Sequence, residues 1–490
     1  MNGSVDSSLG LLGVGRYLSI GGINDQGTTK FVVVDDDPST TVHPKIVIAF
    51  PRGILSNVPQ EENIMRITII SSLALLGLLL GLSAQVAANE GSLAFVGARI
   101  IDGTAAEPIE DGVLVITDGR IRTVGPRSAV TIPAGARQID VSGKTIMPGL
   151  INAHGHVGNT VGLGTGPYDT DNLLRQLGLY ARYGVTTVNS LGGDEEQGFA
   201  LRNSQYDSDL NRARIFVAGS VVVGDSEQAI RDEVNRNADM GANFIKVRVD
   251  DNLGATQKMP QNLFDALVDQ AHIRRLPVAV HLFYLDDAKY ILNAGADLIA
   301  HSVRDVPVDS EFIKLLNDKS VCYIPTLTRE VSTFVYEAEP DFFSDPYFLK
   351  EADPAVLEEL MTPERQSRMR NSRSAQQYKI ALDVAMANIK ALNDAGVRIA
   401  MGTDTGPPAR FQGYFEHMEM HMMVEAGMSP LDAIRASTGI AADCINEGDV
   451  GTLEPGRWGD LIVLAANPIE DIENTKTIES VWIAGNRVPD

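Results

Sequence analysis

From Pro148 onward the sequence keeps one rhythm: a short apolar run, a turn, a segment of helical length, then the next apolar run. Eight such runs stand in order, 150-LINAH-154, 185-VTTVNSL-191, 214-RIFVAG-219, 244-FIKVRV-249, 277-PVAVH-281, 298-LIAHS-302, 321-VCYIPTL-327 and 398-RIAMGTD-404. Between most of them lie helical patterns such as FDALVDQAHIRR and AKYILNAGA. Eight βα units predict an α/β fold, a (β/α)8 TIM barrel over residues 147–448. An open doubly wound sheet is the alternative, but no glycine-rich phosphate loop follows the first strand.

The flanks read differently. From Ser92 to Lys144 short apolar runs are separated by Asp-Gly and Ser-Gly steps, the signature of hairpins, so a small antiparallel β module is expected. Hairpin-like runs return at DLIVLAAN and SVWIAGNRV. Residues 89–146 and 449–490 are therefore expected to join in a composite second domain. The stretch from Arg329 to Gln376 is too long for a simple βα loop and is rich in aromatics. It is either a pocket wall or a helical excursion packed by its own rings.

Upstream, 65-MRITIISSLALLGLLLGLSAQVAANEG-91 has one Arg, an apolar run and a small-residue pattern at Val86, Ala87 and Ala88. That layout predicts a signal peptide over 65–88 and a periplasmic or secreted protein, with translation starting at Met65 and no stable membrane association after processing. An internal membrane anchor is the alternative. Residues 1–64 carry no usable motif and are expected to be a start-site artefact or disordered. Cys322 and Cys444 are too few to define a disulfide framework and are expected as two buried free thiols, with a single bridge in an oxidising compartment as the alternative. A net charge of −23 without clustered Lys and Arg excludes a nucleic-acid partner. Self-association into a homo-oligomer stays open.

In a barrel, side chains from different strands converge only where strands end and βα loops begin. His154 and His156 close the first run, His281 the fifth, His301 the sixth and Asp404 the eighth. One histidine at such a place is ordinarily structural; four at one face, with an aspartate, are the donors of a metal site. Imidazoles and a carboxylate suit Zn²⁺ with a position left for water, whose pKa the ion lowers from ~15.7 towards about 7. Lys246 stands inside the apolar fourth run, where burial lowers an amine's pKa. It either snorkels, pairs with Asp250 or Asp251, or adds CO₂ to form a carbamate that can bridge two cations. His417 and His421 are spaced i, i+4 but lack the following Glu of a zinc-protease helix. His43 and His272 read as structural or solvated.

These features together resemble the amidohydrolase superfamily of metal-dependent hydrolases, from about Ser92 to the C-terminus. The resemblance rests on 147-MPGLINAHGH-156, the histidines after strands five and six, 401-MGTDTG-406 and 451-GTLEPGRWGDLIVL-464. It implies the barrel with a β-sandwich built from both chain ends. Within the superfamily the chain looks most like imidazolonepropionases and prolidase-like peptidases, which implies cleavage of a C–N amide bond in a dipeptide such as Xaa-Pro or an N-acyl amino acid. It further implies two zinc ions per chain: His154, His156 and Asp404 on one, His281 and His301 on the other, with carbamylated Lys246 and a hydroxide between them. Asp404 would then act as general base and acid. Tyr284 is a candidate oxyanion donor or a packed aromatic, and Arg248 and Arg329 are candidates for a substrate carboxylate or for pairs with nearby acids. A mononuclear cyclic-amide hydrolase, without the carbamate, and a catalytically silent binding or scaffold protein on the same fold are the alternatives.

Overall fold

The computed structural model describes residues 91–489, together with strands Arg16–Gly21, Thr29–Asp35 and Val47–Phe50 upstream. Those three strands pair antiparallel as a sheet of their own. The expected signal segment 65–88 and His43 lie outside the described residues. Among the described residues no helix is long and apolar enough to cross a membrane.

Seven of the eight apolar runs are strands: Leu150–Gly155, Val185–Ser190, Arg214–Val217, Ile245–Arg248, Val278–His281, Leu298–Ala300 and Cys322–Ile324. The first three pair in parallel, as do the last four. Backbone bonds link third to fourth, with Asn243 N donating to Val217 O at 2.7 Å and Val222 N to Lys246 O at 2.9 Å. Almost every residue in these strands is buried, because helices cover them. The helix Thr170–Arg182 shows how: Asp169 caps it by accepting from Asn172 N, and Leu173, Leu177 and Tyr180 form the buried stripe.

The eighth run departs from a regular strand. It has one isolated bridge, Ile399 to Tyr323. Its backbone nevertheless lies between the seventh and first strands, since Ala400 N donates to Tyr323 O at 3.0 Å and Ala153 N to Met401 O at 2.9 Å. Beyond Met401 the ladder stops because Thr403 N and Asp404 N both turn onto the His154 carbonyl, at 3.0 and 2.6 Å, and Asp404 adopts φ +56°.

The flanking strands form one eight-stranded sheet. Its order runs Asn486–Arg487, Ile478–Ile483, Leu461–Leu464, Thr145–Pro148, Leu93–Ile100, Ile109–Thr117 and Arg120–Pro126, with Arg137–Asp140 also on Leu93–Ile100. Strands from both ends of the chain thus meet in one sheet, and Phe95 packs edge-on against Trp482 with ring centroids 5.1 Å apart. The expected purely antiparallel module is corrected: Leu93–Ile100 runs parallel to Arg137–Asp140 and to Thr145–Pro148. The chain after Pro126 returns along residues 127–136 to the start of the first strand instead of making another hairpin.

The cysteines also correct the sequence reading, because Cys322 and Cys444 form a disulfide with Cα atoms 5.8 Å apart. Cys322 opens the seventh strand and Cys444 ends the helix Gly439–Cys444, and only the fold brings positions 122 residues apart together. Closing a loop of that length restricts the unfolded chain. Replacing both cysteines with Ala is expected to lower unfolding stability by about 2–4 kcal/mol. Urea unfolding of the oxidised and doubly substituted proteins measures it; equal midpoints would show that the bridge contributes nothing.

Candidate metal centre

The site is assembled at the C-terminal ends of the parallel strands, within the compact unit Val86–Asp490. His154 and His156 come from the end of the first strand and the residue after it, with rings 5.7 Å apart. Asp404 arrives from the turn that stops the eighth run. One ligand atom each from His154, His156 and Asp404 lie within 4.8 Å of one another, close enough to share one ion. His301 packs between His154 and His281, at ring distances of 4.5 and 4.2 Å.

The hydrogen bonds suit a cation. His156 Nδ1 lies 3.0 Å from Gly192 O, a pure acceptor, so in the neutral ring Nδ1 carries the proton and Nε2 presents a lone pair. That lone pair faces Asp404 Oδ1 at 2.8 Å. Two acceptors at this distance require a proton or a metal ion at them. His154 Nδ1 is buried without a partner, while its Nε2 is 3.6 Å from Asp404 Oδ1. Burial holds His154 and His301 well below the usual histidine range, and brings His281 down to about 3, so these three imidazoles are neutral, as ligation demands.

Asp404 is anionic in spite of its burial. Desolvation would raise its pKa, but the charge of Arg410 and the bond to His156 hold it well below the usual carboxylate range. Behind it stands a buried ion cluster: Arg329 Nε is 4.0 Å from Asp404 Oδ2, Glu330 Oε2 accepts from Arg329 at 2.9 Å, and Glu330 Oε1 forms an ion pair with Arg304 Nε at 3.0 Å. Lys246 is buried and its Nζ lies 3.3 Å from His154 Nε2. Desolvation brings its amine down to about 7. Three of the residues here carry left-handed backbone, His301 at φ +103°, Thr326 at +51° and Asp404 at +56°, a strain that folds retain at functional positions.

The amidohydrolase family model matches residues 145–488, most of the chain and all of the site. The chain belongs to the amidohydrolase family. Among curated relatives, this amidohydrolase is 26% identical over 228 residues to an uncharacterised protein of Mycobacterium bovis, a match covering 44% of the chain and 57% of that relative's length. It is 22% identical to an imidazolonepropionase of Porphyromonas gingivalis, over 77% of the chain and 87% of the relative. A solved prolidase structure, complexed with N-methylphosphonate-L-proline, superposes with a TM-score of 0.66 at 22% identity, covering 81% of this chain and 99% of that one.

Other sequence-selected residues of the amidohydrolase have definite places. Asp250 does not pair with Lys246: its carboxylate accepts from Arg248 at 2.7 Å and engages His281 Nε2 at 3.1 Å. The Tyr284 hydroxyl donates to Asp251 at 2.8 Å. Arg329 is buried and held by Glu330 and by Tyr378, whereas the Arg248 side chain is 42% exposed and free to meet a ligand on its open side. His417 is structural, bonded to Tyr183 O and the Thr475 hydroxyl; His421 pairs with Glu473 and His272 with Asp297.

The aromatics of the excursion after Arg329 pack on one another and on the segment after Asp404, with Phe342, Phe343 and Phe348 against Phe411, Tyr414 and Phe415. Its Tyr336 hydroxyl donates to Ala409 O at 2.6 Å, and Ser332 Oγ accepts from Arg410, so it also sets the loop that delivers Arg410 to Asp404. Sequence reasoning missed Arg410 and Thr326, whose hydroxyl meets His301 Nδ1 at 2.6 Å. The only signal for Arg410 was a cation in a Pro-Pro turn six residues after Asp404.

Proposed function

We propose that this chain is a metal-dependent hydrolase of C–N amide bonds, acting on a dipeptide such as Xaa-Pro or on an N-acyl amino acid. The observation that carries the reading is the gathering of His154, His156 and Asp404 around one point, in a family whose name denotes amide hydrolysis. We also take the eight βα units as a closed (β/α)8 barrel and the sheet from both chain ends as a β-sandwich, with zinc as the metal. Lys246, as a carbamate, and the pair His281 and His301 would hold a second ion. Bound zinc would supply Lewis acidity and lower the pKa of water.

The chain's own groups account for the remaining chemistry. Asp404 Oδ1 is anionic at neutral pH and takes the proton from the attacking water; the same oxygen returns it to the amine nitrogen as the C–N bond breaks. Asp250 orients His281, and the Gly192 carbonyl fixes the tautomer of His156. Arg248 is the better placed of the two arginines to bind a substrate carboxylate, because its side chain is 42% exposed whereas Arg329 is buried and held by Glu330 and Tyr378.

A hydrolysis screen of Xaa-Pro dipeptides, N-acyl amino acids, aryl amides and lactones with zinc-loaded protein tests this reading. Turnover of an amide with two zinc ions per chain is expected, as is loss of zinc and at least about 100-fold of activity in Lys246→Ala. Because the carbamate forms from the neutral amine, zinc uptake should depend on bicarbonate and fall as pH drops below about 7. One zinc per chain, unchanged in Lys246→Ala, would favour the second reading, a mononuclear cyclic-amide hydrolase. The one triad gathered among the described residues and the imidazolonepropionase likeness favour that reading in turn.

A further inference from the structure

We infer that Glu416 is a positioning residue which fixes the His154-bearing strand against the Asp404-bearing turn, and so sets the geometry of the metal centre; the inference rests on the metal-centre reading above. Glu416 lies fully buried in the helix Tyr414–Glu425, whose histidines, not its acids, stand out in the sequence. Its Oε1 accepts from Asn152 Nδ2 at 2.6 Å, from the Thr405 hydroxyl at 2.7 Å and from the Thr403 hydroxyl at 2.9 Å. Its Oε2 accepts from Gly413 N at 2.6 Å.

Those donors are the residues that frame the ligands. Asn152 sits two residues before His154 on the same strand and accepts from His154 N through Oδ1 at 3.0 Å. Thr403 and Thr405 flank Asp404, and Tyr180 braces Thr405 from behind at 2.7 Å. One carboxylate thus holds a residue from the first strand and two from the eighth run. The eighth run has one isolated bridge and a few backbone bonds to its neighbours in place of a regular ladder, and the ties from Glu416 add side-chain anchors on both sides of Asp404.

Four donors converge on two oxygens, and all are neutral. A buried carboxylate is tolerated only when its lone pairs are met in this way. Glutamine cannot replace it, because one oxygen would become an amide that itself donates. Its NH₂ must then face either Gly413 N–H or the three donors gathered at Oε1. Groups that orient metal ligands typically change affinity by 10–100-fold when removed.

The test measures zinc dissociation constants by competition with a chromophoric chelator for wild type, Glu416→Gln, Thr405→Val and His154→Ala, alongside thermal midpoints of the metal-free proteins. In Glu416→Gln the dissociation constant should rise about 10–100-fold, and in Thr405→Val about fivefold or more. A purely structural Glu416 would lower the midpoint and leave the affinity of the folded protein alone. Affinities within about threefold of wild type in both variants overturn the inference. Should Glu416→Gln fail to fold, Thr405→Val decides alone. If His154→Ala binds zinc as wild type does, the metal-centre reading itself has failed, a result separable from failure at Glu416.

Discussion

Asp404→Asn should lose at least about 10³-fold in turnover while keeping the fold. The substitution preserves shape but removes the anion that His156, Arg410 and Arg329 surround. Under the proposed mechanism three roles disappear together: the charged donor to the metal, the base for the attacking water, and the acid for the leaving amine. Asparagine offers one neutral oxygen and accepts no proton at working pH. Its amide would also turn a donor towards either His156 or Arg410. The measurement is kcat on the substrate found by screening, with zinc content and circular dichroism confirming that the chain is folded. Retention of more than about one part in a hundred of the activity would remove Asp404 from the mechanism, since proton transfer alone accounts for 10²–10⁴ in comparable sites.

The second large effect is on stability. Glu330→Gln should cost roughly 3–5 kcal/mol, because it strands two buried guanidinium groups. Arg304 is fully buried, lying over the Phe283 ring at 4.7 Å, and Arg329 lies over Tyr378 at 4.5 Å; Glu330 is the carboxylate between them. Asp404 is the next anion available to Arg329. The variant should therefore also pull Arg329 towards the site and weaken catalysis beyond what instability explains. Urea unfolding measures the first part and kcat of the folded fraction the second. A stability loss under about 1 kcal/mol would mean that water reaches the cluster and screens it.

Much of this is legible in the sequence. The alternation of apolar runs with helical segments placed seven strands, because residues buried on both faces leave an unbroken apolar signal, though several runs extend past the strand, 321–327 against Cys322–Ile324 most of all. The placement of His154, His156, His281, His301 and Asp404 at strand ends followed from the same count. The eighth run misled in detail: RIAMGTD has a strand's composition, yet Asp404 has left-handed φ and its backbone turns onto His154. The disulfide was invisible because its two cysteines are joined only by topology. Glu416, Glu330 and Arg410 were hidden for a related reason. Each is a charged residue with no periodic partner in sequence, and its meaning lies in donors and acceptors from distant segments. Residues that bind directly can be read from type and position, whereas those that hold them cannot.

The sheet shared by the two chain ends has a consequence for biosynthesis. Strand Thr145–Pro148 is flanked by Leu93–Ile100 on one side and by Leu461–Leu464 on the other. A nascent polypeptide can pair this strand with Leu93–Ile100 as soon as both are made, but with Leu461–Leu464 only after the whole stretch from Pro148 to Leu461 has been synthesised. Throughout elongation that strand has an open edge with unpaired amides, and Phe95 on the neighbouring strand lacks the ring of Trp482. Strand Leu461–Leu464 therefore acts as a closing seam. Chains interrupted before Leu461 would expose the edge permanently, and such fragments should be captured by chaperones or aggregate rather than persist as soluble partial enzymes.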